Sequence, residues 1–118
     1  MSIDKKRNIY QGINIKIPDN LNILIFLLAG SLSIFLLNSA SETSSVWKII
    51  LCAVLFSFVN NTLFSLLHEA THKVLHSNEK INYILGVLVA GFFPTGFTFQ
   101  RYCHLTHHKN NRTDNEMF

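Results

Sequence analysis

Five of the six histidines stand in two clusters, His68-Glu69-Ala70-Thr71-His72 and His104-Leu105-Thr106-His107-His108. Imidazoles four residues apart on a helix lie on one face, one turn apart, so His68 and His72 can reach the same metal ion. On a helical wheel His107 and His108 sit at about −60° and +40° from His104. Three rings therefore share an arc of about 100°, with the adjacent pair splayed enough to serve two metals. A lone histidine on an apolar helix is ordinarily a packed residue. Two sets at ligand spacing point instead to a metal centre held by His68, His72, His104, His107 and His108. His76 continues the four-residue step but falls beside Ser77-Asn78, where a helix should end. Cys103 adjoins His104, yet its side chain points about 100° away on a helix. It and Cys52 read as packed thiols, since they have no CxxC spacing and form no disulfide framework.

The elements that must carry these rings are apolar. Of the 118 residues 48% are hydrophobic and only 14% charged, against roughly 25% charged in a soluble domain. That balance excludes disorder, and a net charge of +3 from scattered Lys and Arg gives no footprint for nucleic acid. Residues 21–38 contain no charge and reach about 27 Å as a helix, close to a hydrocarbon core of roughly 30 Å. Pro18-Asp19-Asn20 ahead of them reads as a stop and a cap. The long, partly acidic lead-in and a poor cleavage site at Asn38-Ser39-Ala40 favour a retained anchor over a signal peptide. A polar turn, residues 39–45, leads to a second apolar run, residues 46–67, about 33 Å long. A tight turn between two spans predicts an antiparallel transmembrane hairpin, with Trp47 at the far interface.

Lys5, Lys6, Arg7 and Lys16 precede the hairpin; Lys73, Lys80, Arg101, Lys109 and Arg112 follow it, and Lys48 alone lies near the turn. The positive-inside rule then places both ends in the cytoplasm, with residues 1–20 as a cytoplasmic tail. Ser57, Asn61, Ser65, His68 and His72 step by helical turns and form one polar stripe, expected to face a bundle interior or a path to the site. Between the clusters, residues 81–99 are apolar enough for a third span, which would put the two sets of rings on opposite sides of the membrane. Pro94, between Gly91 and Gly96, breaks that run and leaves about 20 Å before it, too short to cross. The expected fold is therefore an all-α membrane protein: a hairpin, then an interfacial or re-entrant segment carrying the second cluster. Phe92, Phe93, Phe97, Phe99 and Tyr102 are placed at headgroup level or against an acyl chain.

An HxxxH box at the end of a membrane hairpin, followed by HxxHH, resembles the membrane fatty acid desaturase and hydroxylase superfamily. The resemblance covers roughly residues 20–118, and Arg101 and the acidic Asp114-Asn115-Glu116 share it. It implies that residues 21–118 are the N-terminal part of a desaturase-like domain. It further implies a non-haem di-iron centre that uses O₂ to desaturate or hydroxylate an acyl chain, with the five box histidines as iron ligands. A membrane lipid or acyl substrate and an electron-donor protein, an iron–sulfur or haem carrier, come with that chemistry. Glu69 is not carried over as a ligand. The superfamily has a third box, another HxxHH, which this sequence lacks. The expectation is accordingly a portion of a longer protein, inactive alone, with a homodimer supplying ten histidines as an alternative. Two other classes compete. His68-Glu69-x-x-His72 also fits HExxH, a zinc membrane peptidase in which Glu69 is the general base. A non-enzymatic hairpin with vestigial boxes is the third.

Overall fold

The computed structural model describes residues 16–110, which form four helices. These are α1 (Asp19–Ser41), α2 (Val46–Thr71), α3 (Glu79–Ala90) and α4 (Phe97–Asn110). Lys5, Lys6, Arg7, Arg112, Asp114 and Glu116 lie outside the described residues.

Helices α1 and α2 are the two apolar runs, each slightly longer than the run itself, and both are long and apolar enough to cross a membrane. Only 17% of the most apolar window of either is buried within the molecule. Leu28, Phe35 and Phe58 are among the large side chains left outside, at 63%, 63% and 72% exposure. A core helix of a water-soluble domain would hide such residues. The connection is shorter than the polar turn in the sequence, because Ser39, Ala40 and Ser41 continue α1 and the chain turns only at residues 42–45.

Every other helix packs against α2. The core gathers Leu66, Leu67 and Ala70 of α2, Leu75 of the following loop, Leu85, Val89 and Ala90 of α3, and Phe97 of α4. The loop after α2 is fixed by side chains from both neighbours. Asn22 Nδ2 of α1 donates to the Leu75 carbonyl at 2.7 Å. Asp19 accepts from the Ser77 amide at 2.8 Å and from the Ser77 hydroxyl. Asp19 therefore does not cap its own helix, contrary to the reading of Pro18-Asp19-Asn20; its carboxylate is committed to the loop and α1 begins without a side-chain cap. Asn78 does cap α3, accepting from the amides of Lys80 and Ile81 at 3.0 and 3.2 Å.

Helix α3 ends at Ala90, ahead of Pro94, and the chain turns through residues 91–96 before α4. Twelve residues make α3 about 18 Å long. Phe92 in the turn stacks edge-on to Phe26 of α1 and presses on Gly30, where a Cβ would stand 3.1 Å from its ring. Phe93 does the same with Phe64 of α2. Phe97, expected among the outward aromatics, is instead 4% exposed in the core and leans into the space that Gly86 leaves. Phe99 and Tyr102 are exposed, at 64% and 62%.

Candidate metal centre

His68 stands in the last turn of α2, and His72 is the residue that closes it, its amide bonded to the His68 and Ala70 carbonyls. Lys73 follows with φ 61°, a left-handed turn that ends the helix and sends Leu75 into the core. His104 and His108 are one turn apart on α4. The two boxes meet. His72 Nε2 and His104 Nε2 are 2.9 Å apart, and His108 Nε2 is 2.9 Å from the same His104 atom. The His68 ring centroid is 4.5 Å from that of His104 and 4.8 Å from that of His72. One nitrogen from each of the four rings falls within 4.8 Å of the others.

Two nitrogens bound at right angles to one metal at about 2.1 Å lie about 3.0 Å apart. The ring spacing around His104 is that spacing, so the donor set fits an ion that takes imidazole. Electrostatics agree. Desolvation first, then His108, His68, His72 and His107, hold the His104 pKa down to about 4. Desolvation, His68 and His108 lower that of His72. Crowded rings that resist protonation keep their lone pairs for a cation, the protonation state that metal ligation needs.

His107 is not in the four-ring set. It borders a separate hollow with Phe99, Gln100, Cys103 and His104, its ring centroid 6.2 Å from that of His108. Glu69 borders another hollow, with Ile17, Pro18, Asn22 and Val74 on the α1 side. His76 is drawn to the loop rather than to the rings: its Nδ1 accepts from the Asn78 amide at 2.9 Å and its Nε2 is 3.8 Å from Asp19. The stripe of Ser57, Asn61 and Ser65 leads to the cluster on an exposed face, where the Ser57 and Ser65 hydroxyls donate to their own helix at Ala53 and Asn61. Sequence reasoning missed Asn22 and Asn82, the buried amides that hold the loop beside the first box. Isolated asparagines near helix ends carry no periodic signal that could have found them.

No curated protein and no solved structure matches the chain. The sequence model of one family, described as Fatty acid desaturase, matches residues 44–117, which take in α2, α3, α4 and both histidine boxes. With well over half of its length in that match and both boxes brought into contact, the chain belongs to the fatty acid desaturase family.

Proposed function

We propose that this chain is the metal-binding part of a membrane oxidoreductase that desaturates or hydroxylates an acyl chain with O₂. The observation that carries the reading is the contact between imidazoles of two boxes 32 residues apart in sequence, on His72 and His104. His68, His72, His104 and His108 would hold one ion, and His107, splayed to the neighbouring hollow, would serve a second. Imidazole suits iron, and bound iron would supply the oxidant that an unactivated C–H bond requires and no side chain provides. The rings of this chain do the holding, crowded together and fixed by the ends of α2 and α4. Five imidazoles leave positions on two irons to be filled from elsewhere, by further protein or by a second copy. An electron-donor protein and an acyl lipid or other acyl carrier are the partners this chemistry calls for.

The arrangement in the membrane follows from the same contact. Phe92 reaches Gly30, about 16 Å along α1 from Asp19, before α4 returns to the box end. A segment that enters about half of a 30 Å core and comes back would be re-entrant, and this reading, with the Lys/Arg distribution, puts both boxes on the cytoplasmic side. The peptidase reading needs Glu69 beside metal-bound water, whereas Glu69 borders the hollow toward α1.

Iron analysis of the purified chain, reconstituted anaerobically with Fe²⁺ in detergent, tests the proposal. At least one iron per chain is expected, lost when His72 and His104 are both changed to alanine. Zinc retained in preference to iron, or no metal at all, overturns it in favour of the peptidase or the non-enzymatic class.

A further inference from the structure

Asn82, in the first turns of α3, is 3% exposed. A carboxamide buried that deeply must satisfy both its oxygen and its nitrogen within the protein. Its Oδ1 accepts from the backbone amides of Leu75 at 3.0 Å and His76 at 3.2 Å. Its Nδ2 donates to the Ala70 carbonyl at 3.0 Å. One side chain thus holds the end of α2, the loop and α3 together. Ala70 lies midway between His68 and His72, so this anchor grips the backbone of the first box itself. One turn further along α3 is Gly86, whose missing Cβ makes room for the Phe97 ring; a Cβ there would stand 2.5 Å from it. Phe97 opens α4, the helix that carries His104 and His108. A continuous set of contacts runs from the first box through Asn82 and α3 to the second.

We infer that Asn82 is a positioning residue that sets the first histidine box against the second. The metal part of this inference rests on the proposed function above; the geometric part does not. Hydrogen-bonding partners just outside a ligand set typically change metal affinity 10- to 100-fold when removed. In the full chain, purified in detergent, Asn82→Leu keeps the heavy-atom count and branching of the side chain and loses all three bonds. It is expected to retain the helix content seen by circular dichroism, to weaken Co²⁺ binding about 10- to 100-fold and to alter the visible Co²⁺ absorption bands. Asn82→Asp keeps both accepted bonds but turns an oxygen instead of a donor toward the Ala70 carbonyl, and is expected to recover only part of that affinity. Nitroxide labels at Asn61 on α2 and Leu105 on α4, with Cys52 and Cys103 replaced, should give a narrow distance distribution that broadens in Asn82→Leu.

Unchanged Co²⁺ bands together with an unchanged distance distribution overturn the assignment. Where Asn82→Leu does not fold, Asn82→Asp is expected to broaden the distribution partially, and no broadening there is the overturning result. A parent chain that takes no Co²⁺ sinks the metal reading alone, and the label distances still decide the role of Asn82.

Discussion

His104 is the ring on which the cluster is built, in contact with His68, His72 and His108. Its folded pKa lies near 4, below the ordinary 6.5. An unfolded chain therefore takes up a proton below about pH 6.5 that the folded ring refuses until about pH 4. Stability contributed by neutral His104 is intact above that window and falls as the pH drops through it. In the metal-free protein, thermal unfolding in detergent with chelator should drop between pH 7 and 5, and drop less in His104→Leu. His107 separates one-ion from two-ion binding. Because it lies outside the four-ring set, His107→Ala should leave the first equivalent of metal bound and remove a second, whereas His104→Ala should remove the first, by titration with Co²⁺. The histidines were legible in the sequence as two helical sets. The wheel also gave the splay of His107 from His108, but not which of the two leaves the shared face, since it gives angles along one helix and not the direction from which the partner helix approaches.

At the scale of elements, the hairpin was readable from two long apolar runs and the short helix from Pro94, because composition and backbone restriction act locally. The junctions were not. Asn22 bonds to a carbonyl 53 residues away and Asp19 to Ser77 58 residues away, and no window of sequence contains both partners. Phe97 was misplaced for the same reason: its burial depends on Gly86, and a glycine within an apolar run does not announce what will lie against it. That pair yields a test. Gly86→Ala brings a methyl group to within 2.5 to 2.9 Å of three atoms of a ring that is also edge-on to Tyr83. The ring has little room to give. The cost should be about 1–3 kcal/mol, read as a lower unfolding midpoint, with the interval between α3 and α4 widened. Gly96→Ala, where nothing lies within 4 Å of the added carbon, is the matched control and should cost far less.

At the scale of the molecule, the α1 and α2 surfaces left open by the fold are apolar along most of their length, and water is a poor solvent for them. A bilayer satisfies them. The ring contacts at one end of the bundle then decide how the later helices can be threaded. If α3 crossed the membrane, His104 would emerge on the side away from His72, and the 2.9 Å contact between them could not exist. Cysteines introduced one at a time at Glu42, Lys80 and Lys109, all exposed, report the sides directly once Cys52 and Cys103 are replaced. In sealed vesicles of known orientation, an impermeant maleimide should label Lys80→Cys and Lys109→Cys from the same side and Glu42→Cys from the other. From the Lys/Arg distribution, the shared side is expected to be the cytoplasmic one. Labelling of Lys80→Cys and Lys109→Cys from opposite sides would separate the boxes by a hydrocarbon core of roughly 30 Å, and four imidazoles so divided could not hold a common ion.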